Sequence, residues 1–289
     1  FSLASGTLGN DFNSTNTNSW VSGSESICPI FNISGNYTIT LKIGNRCGID
    51  EIVKTICVQP PLTPLFTLNT DSGCAPLAIT ATNNTNLSNQ CTPPTYLWSV
   101  TYASAYCGTS ITPIPNQTTA NASYNFTEPG IYTITLTTTN SCGSTTTTKT
   151  VTVKKPPTVS ILPISNFCGT ANINPTANIN SCAPASSVLS YAWSFPGGTP
   201  SSSNLANPGT INYATPGNYT ISLVVTNECG ASTNASQNFT INVAPTITNT
   251  DLSQTICSGN QTTLVTLNAN PTGTTFTWSA TATGTCGGR

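Results

Sequence analysis

Apolar and polar residues alternate along many stretches of the chain with a period of two. Between positions 132 and 136, for example, Tyr132, Ile134 and Leu136 alternate with Thr133 and Thr135. Such alternation places apolar side chains on one face of a β-strand and polar side chains on the other. Since no segment keeps a helical period of 3.6 residues, the pattern predicts an all-β protein.

The best-defined of these strands occurs three times. It reads SGNYTITLKIGNRCG from Ser34, PGIYTITLTTTNSCG from Pro129 and PGNYTISLVVTNECG from Pro216. A second strand, centred on Trp, recurs in the same register as YLWSV, YAWSF and FTWSA. Markers repeated in one order indicate tandem copies of one structural unit. The apolar alternation around them predicts that their aromatic residues pack in the core of each unit: Trp98, Trp193, Trp278, Tyr37, Tyr132 and Tyr219.

Short proline-bearing links separate the copies, at residues 58–64, 153–159 and 243–247. Proline fixes φ and lacks a backbone donor, so it ends strands and stiffens joints. Residues 61–156 and 157–245 are therefore predicted to be complete modules. Residues 1–60 carry the markers of the C-terminal half of a module, and residues 246–289 those of an N-terminal part. We expect the chain to be a segment of a longer polypeptide.

The charge and cysteine content restrict the classes of function that the chain can have. Only 5% of the residues are charged and the net charge is −1, so the clustered Lys and Arg that nucleic acids need are missing. No apolar run approaches the ~20 residues of a membrane-spanning helix. The 12 Cys, without His or a Cys-x-x-Cys spacing, indicate disulfides rather than metal sites and hence an extracellular protein.

Catalytic chemistry is not expected from these residues. The chain contains no His, which excludes Ser-His-Asp and Cys-His arrangements. The eight carboxylates are scattered among turns, and the adjacent Asp50 and Glu51 should point to opposite faces of a strand. We therefore predict a protein that is not an enzyme and that needs no cofactor.

The repeated motifs resemble PKD repeats, which are immunoglobulin-like β-sandwiches. The resemblance lies in a Trp strand followed by a Pro-Gly turn and a Tyr strand ending at Asn, as in Trp98 with Pro129 to Asn140. It implies tandem sandwiches arranged as beads on a string. The Asn-x-Cys-Gly ending and the Thr- and Asn-rich composition are similar to giant cell-surface gliding-motility adhesins of Bacteroidota. The acidic turn that commonly follows the family's Trp is missing, so no calcium role is carried over.

The strand order of such a sandwich implies disulfide pairings, because it brings particular loops to the same end. The implied pairs are Cys91 with Cys142, Cys182 with Cys229, Cys74 with Cys107, and Cys257 with Cys286. The pairing of Cys28, Cys47, Cys57 and Cys168 stays open.

The resemblance implies a structural segment of an extracellular filament or adhesin at the cell surface. Other parts of the parent chain would attach it to the outer membrane, through the type IX secretion and motility machinery. Its expected partners are an extracellular substratum or surface polysaccharide, and Thr-rich edge strands could pair laterally. Two alternatives stay open: spacer modules of a secreted polysaccharide-degrading enzyme, and carbohydrate-binding modules. Trp20, Tyr102 and Tyr106 are the candidates for exposed contacts, although Trp20 could equally pack in a turn.

Overall fold

The computed structural model of the protein describes residues 1–103, 107, 110, 112–184 and 187–281. Apart from one short 3₁₀ turn at Thr17–Ser19, all regular elements in these residues are β-strands, which confirms the all-β prediction. The chain divides into two compact units, the first consisting mainly of Phe1–Lys155 and the second beginning at Pro156. Across the described ranges, no helix is long and apolar enough to cross a membrane.

The N-terminal segment, residues 1–60, forms two separate strand pairs. Its strands are β1 (Ser2–Ser5), β2 (Cys28–Ile30), β3 (Gly35–Asn45) and β4 (Gly48–Val58). β1 pairs with β2, and β3 forms a long antiparallel hairpin with β4, from Gly35 opposite Val58 to Asn45 opposite Gly48.

The first sandwich follows in the same unit and has two sheets. Its strands are β5 (Phe66–Leu68), β6 (Ser72–Cys74), β7 (Leu77–Asn83), β8 (Thr95–Tyr102), β9 (Ala122–Phe126), β10 (Gly130–Asn140) and β11 (Gly143–Lys154). One sheet has the order β6-β11-β10-β8 and the other the order β5-β7-β9. β10, the repeated Tyr strand, therefore lies between β11 and the Trp strand β8.

The core of the first sandwich lies between these two sheets. The inward residues of β10, Tyr132, Ile134 and Leu136, pack with Ile79 and Phe66 of the opposite sheet. Their alternation with threonines matches the burial pattern of the strand, in which every second residue is buried. The period-two pattern thus marks the faces of β10 correctly.

The second sandwich repeats this plan. Its strands are β12 (Thr158–Ile161), β13 (Phe167–Cys168), β14 (Ala171–Ile173), β15 (Ala177–Asn180), β16 (Ser190–Ser194), β17 (Ser202–Ser203), β18 (Ile211–Tyr213), β19 (Gly217–Asn227), β20 (Gly230–Ala231) and β21 (Ala235–Asn242). The main sheet runs β13-β21-β19-β16-β17, with β20 also paired to β19. β12-β15 and β14-β18 form two short sheets that contribute Ile161, Ile173 and Tyr213 to the core.

The C-terminal segment, residues 246–281, contains only the paired strands β22 (Thr246–Ile247) and β23 (Ala269–Asn270). The prediction that Trp278 packs in a core is wrong, because 70% of its surface is exposed. Within the described part of this segment no second sheet covers the Trp. The predicted Trp strand does not form either, since residues 274–281 have no regular secondary structure; without a paired strand and a covering layer, the ring has no core to enter.

The N-terminal segment shows the same effect at its hairpin. Leu41 of β3 is 59% exposed, whereas Leu136, at the same position of β10, is fully buried. β3 pairs with β4 in the same register as β10 pairs with β11, so the two hairpins have the same local structure around these leucines. The difference in burial comes from the sheet β5-β7-β9, which covers Leu136.

Candidate functional site

Each repeated Tyr forms the same local structure, a tyrosine corner. The hydroxyl donates a hydrogen bond of 2.8 Å to the carbonyl oxygen four residues upstream: Tyr37 to Ile33, Tyr132 to Glu128, and Tyr219 to Thr215. Such a bond fixes the turn that leads into the strand, as in immunoglobulin-like sandwiches. The recurrence of Tyr is therefore explained by its hydroxyl as well as by its ring.

The corner at Tyr132 is the most buried of the three. Its ring lies 4.1 Å from that of Phe126, centroid to centroid, and burial raises the pKa of its hydroxyl to about 12. The neighbouring Tyr102 and the carboxylate of Glu128 are the smaller causes of this same rise. Glu128 is itself paired with Lys155, at 2.9 Å between Oε2 and Nζ. The hydroxyl therefore stays protonated and keeps donating at physiological pH.

The two buried tryptophans differ in how their indole nitrogens are satisfied. Trp98 is buried against Phe66, with ring centroids 5.1 Å apart, and its Nε1 donates to the Thr119 carbonyl at 3.0 Å. Trp193 packs on Phe195, and its buried Nε1 has no hydrogen-bond partner among the described residues. Both rings lie in cores and offer no face to a ligand.

The Asn-x-Cys-Gly motif closes the hairpin that follows each Tyr strand. The Asn Oδ1 accepts a hydrogen bond from the Cys backbone N–H at 2.7 Å in Asn45, 2.9 Å in Asn140 and 2.8 Å in Asn227. This local bond is an Asx turn. Gly143 and Gly230 follow with φ of +122° and +123°, where a side chain would be strained. The motif thus presents a Cys at the hairpin tip.

One disulfide joins the N-terminal segment to the first sandwich. Cys57, near the end of β4, is bonded to Cys91, with the two Cα atoms 5.8 Å apart. The predicted bridge between Cys91 and Cys142 is therefore wrong, and Cys142 carries a free thiol in the described structure. The sequence argument considered only partners within one module. The structure brings the link after β4 against the loop that contains Cys91.

Hydrogen bonds hold that link in place. The Gln59 side chain accepts from the Cys91 backbone N–H at 2.8 Å and donates to Ser141 Oγ at 2.6 Å. Asn140 Nδ2 donates to the Pro60 carbonyl at 3.0 Å and to Gln90 Oε1 at 2.8 Å. We call this set of contacts the clamp. Sequence reasoning missed Gln59 and Gln90, because glutamines in a polar chain carry no pattern that marks them.

Four further cysteines are in disulfide bonds: Cys74, Cys107, Cys182 and Cys229. The pairings of Cys74 with Cys107 and of Cys182 with Cys229 stay predictions. Cys257 is an exposed free thiol, and its predicted partner, Cys286, lies outside the described residues. Free thiols also occur at Cys28, Cys47 and Cys168.

Two of the three candidates for exposed aromatic contacts are packed instead. Trp20 is half-buried, lies against Gly44 of β3 and donates from Nε1 to the Ser14 carbonyl at 2.8 Å, so the turn-packing alternative is the one observed. Tyr102 is also half-buried, with its ring against Gly130 and its hydroxyl donating to the Pro129 carbonyl at 3.2 Å. Tyr106 lies outside the described residues.

The charged groups with clear contacts are at the surface. Lys42 of β3 lies 2.9 Å from Asp11 and 3.4 Å from Glu51, and the Lys42 ammonium lowers the pKa of Asp11. Exposed ion pairs of this kind contribute little to stability. In the part of the chain that the structure describes, no three His, Cys, Asp or Glu side chains lie close enough together to bind a metal.

Comparison with known protein families gives a match to the second sandwich. A PKD-domain family model matches residues 154–243, which contain the whole second sandwich. This match and the two-layer β architecture support PKD-type, immunoglobulin-like repeats, and the first sandwich carries the same markers. No curated protein sequence matches the chain significantly.

Several solved structures align with the chain at low sequence identity. An I-band fragment of titin aligns at 15% identity and a TM-score of 0.37, over 73% of this chain and 75% of its own. Three domains of the bacteriophage RB49 outer capsid protein Hoc align at 16% identity and a TM-score of 0.32, over 65% of this chain and 62% of the Hoc chain. Four immunoglobulin domains of Dscam1 align at 14% identity and a TM-score of 0.29, over 67% of this chain and 52% of the Dscam1 chain.

Proposed function

We propose that this chain is a structural repeat segment of a long extracellular surface filament that serves adhesion and gliding motility. The observation that carries the proposal is the tandem arrangement of sandwiches with separate hydrophobic cores, one of which is clamped by a disulfide to the preceding segment. A module with its own core needs no other module to fold, so copies extend a chain without changing its chemistry. Disulfides and immunoglobulin-like modules fit an extracellular protein.

The outer surface of the first sandwich suits a neutral, hydrated partner. On the face of β10 and β11 away from the core, threonines stand opposite one another in pairs: Thr133 with Thr150, Thr135 with Thr148, and Thr137 with Thr146. These rows offer hydroxyl groups without charge, which favours an uncharged substratum or polysaccharide over a charged polymer. The proposal places the attachment to the outer membrane and to the type IX machinery in other parts of the parent chain.

The proposal gives this chain no catalytic role. The sequence lacks His, and Asp11 and Glu51 surround the ammonium of Lys42 at an exposed surface. A glycosidase pair needs two carboxyls facing one sugar in a cleft. Trp20 and Tyr102 were the aromatic residues that suggested carbohydrate binding, and because both are packed they no longer support that alternative. The experiment below distinguishes the adhesin from the enzyme spacer.

Antibody labelling of this segment on living cells of the source organism tests the proposal. Cells from which the encoding gene is deleted are the control. Label on surface threads that travel along the cell, with antibody-coated beads carried too, is the expected result. Label that stays static would contradict the motility role. Label confined to the medium and co-purifying with polysaccharide hydrolase activity would replace the adhesin with the enzyme spacer.

A second experiment tests the partner chemistry. Beads coated with the purified segment should adhere to the substratum on which the cells glide. Replacing Thr135 and Thr148 by Glu should reduce adhesion, whereas replacing both by Ser keeps the hydroxyls and should leave adhesion unchanged. Equal adhesion of the Glu variant would show that this face makes no contact.

A further inference from the structure

Three cysteines meet around a single residue of the clamp, Gln59. Cys57 lies two residues before Gln59 on the same stretch of chain and is bonded to Cys91. The backbone N–H of Cys91 donates to the Gln59 side chain at 2.8 Å. The free thiol of Cys142 donates to the Gln59 backbone carbonyl, with 3.3 Å between Sγ and O. The Cys142 thiol and the backbone of the bonded Cys91 therefore both contact Gln59.

The same loop and hairpin tip meet in the second sandwich. Asn140 Nδ2 donates to Gln90, the residue before Cys91, at 2.8 Å. In the second sandwich Asn227 Nδ2 donates to the carbonyl of Ser181, the residue before Cys182, at 2.9 Å. In both sandwiches, then, the hairpin-tip Asn holds its neighbouring Cys against a loop that carries a second Cys. The bond between Asn140 and Gln90 thus places the hairpin tip that carries Cys142 against the loop that carries Cys91.

The third cysteine, Cys57, is peculiar to the clamp. In the hairpin β3–β4, Val58 faces Gly35, and in β10–β11, Val153 faces Gly130. This register matches Cys57 to Thr152 of the first sandwich. The cysteine that takes Cys91 as its partner is therefore an addition to the common plan.

We propose that Cys57, Cys91 and Cys142 form a thiol–disulfide exchange site at which Cys91 has two alternative partners. In the clamped form Cys91 is bonded to Cys57 and ties the N-terminal segment to the first sandwich. In the released form Cys91 is bonded to Cys142 and staples the first sandwich internally. The inference does not depend on the adhesive function proposed above.

The exchange needs no oxidant or reductant. The Cys142 thiolate attacks Sγ of Cys91, a bond forms between these two sulfurs, and the bond between Cys91 and Cys57 breaks. Cys57 leaves as a thiolate and takes up a proton from solvent, in place of the one lost by Cys142. One disulfide and one thiol are present before and after the step.

The exchange changes which part of the chain is shielded from tension. In the clamped form the closed loop contains residues 58–90, so a pull on the N-terminal segment reaches the sandwich at Cys91. In the released form the closed loop contains residues 92–141, and tension passes through the proline link to β5. The exchange would thus free the N-terminal segment from the first sandwich while Cys91 stays in a disulfide.

Disulfide mapping of the full oxidised chain tests the proposal. The purified chain is incubated without added thiol, its free thiols are alkylated after different times, and its peptides are analysed by mass spectrometry. We expect two isomers, one alkylated at Cys142 and one at Cys57. The rate of interconversion should not depend on protein concentration, because the attacking thiol and the disulfide belong to one chain.

Variants make the test decisive. In Cys57→Ser, Cys91 should be found bonded to Cys142, and in Cys142→Ser it should remain bonded to Cys57 alone. Cys47→Ser removes the thiol of another hairpin tip and should leave the isomer ratio unchanged. Gln59→Ala should slow the exchange, because the Gln59 side chain holds both the Cys91 backbone N–H and the hydroxyl of Ser141, the residue before Cys142.

Three results would overturn the proposal. The first is a wild-type chain that shows only the Cys57–Cys91 isomer at every time and pH. The second is a Cys57→Ser chain in which Cys91 and Cys142 both remain reduced under air. The third is an exchange rate proportional to protein concentration, which would mean that the reaction occurs between chains.

Discussion

The tyrosine corner of the first sandwich allows a prediction with a built-in control. Tyr132 and Tyr124 belong to the same core, and burial raises the pKa of both hydroxyls to about 12. They differ in one respect. The Tyr132 hydroxyl donates to the Glu128 carbonyl at 2.8 Å, whereas the buried Tyr124 hydroxyl has no hydrogen-bond partner in the described part of the chain.

Replacing each Tyr by Phe removes one oxygen atom and keeps the ring. For Tyr132→Phe the loss of one hydrogen bond should lower the free energy of unfolding by about 1–1.5 kcal/mol. For Tyr124→Phe an unsatisfied polar atom is removed from the core, so the free energy of unfolding should stay equal or rise by up to about 1 kcal/mol. The two substitutions should therefore change the free energy of unfolding in different directions if the hydrogen bond of Tyr132, and not burial of the ring alone, stabilises the sandwich.

Hydrogen exchange with mass spectrometry measures these changes in the stability of the first sandwich within the full chain. Peptides from β10 report the opening of the first sandwich, and peptides from β19 serve as an internal reference. A loss of about 1–1.5 kcal/mol should speed exchange in β10 about five- to tenfold, with no change in β19. If Tyr132→Phe leaves β10 exchange unchanged, or if Tyr124→Phe speeds it equally, the corner bond does not stabilise the sandwich as argued.

Three further predictions follow from burial and close packing. Trp98→Ala should cost about 3–5 kcal/mol of unfolding free energy, whereas Trp278→Ala should cost close to nothing, because Trp98 is fully buried and Trp278 is mostly exposed; urea unfolding measures both. Gly130→Ala should destabilise the first sandwich by about 1–3 kcal/mol, because the new Cβ would collide with the Tyr102 ring. At the equivalent Gly217 the nearest atom is 3.5 Å away, so Gly217→Ala should be tolerated in the same assay; equal losses would refute the steric argument. Finally, three buried tyrosines have a pKa raised from 10 to about 12, so their protonated form favours the folded state. That stability is complete below about pH 10 and is lost as pH rises through about 12; tyrosinate absorbance should therefore rise together with loss of sheet circular dichroism, and separate transitions would count against the coupling.

The repeated strands could be predicted because their signal is local. The alternation from Tyr132 to Leu136 reports the two faces of β10, and the Asn-x-Cys-Gly ending reports a hairpin tip whose bond spans two residues. Backbone geometry alone fixes both features. The all-β class accordingly follows from the pattern of residues, and the sandwich type was implied by the resemblance of the repeated motifs to PKD repeats.

Pairings between distant segments could not be predicted in the same way. The choice of Cys57 over Cys142 as the partner of Cys91 depends on where the link after β4 lies, and Gln59 and Pro60 hold it there. Sequence spacing carries no information on that position. The prediction that Tyr102 is exposed was wrong for the same reason, because the Tyr102 ring packs against Gly130, which is distant in the sequence.

The sequence by itself determined the three repeated Tyr strands, their inward and outward faces and the hairpin tips that follow them, because side-chain alternation and turn chemistry act over a few neighbouring residues. Only the tertiary structure decided which apolar faces are covered and which cysteines meet. Leu41 and Leu136 occupy the same place in nearly the same strand, yet one is mostly exposed and the other fully buried. Burial depends on a second sheet that packs on the first, and no local pattern shows whether that sheet is there.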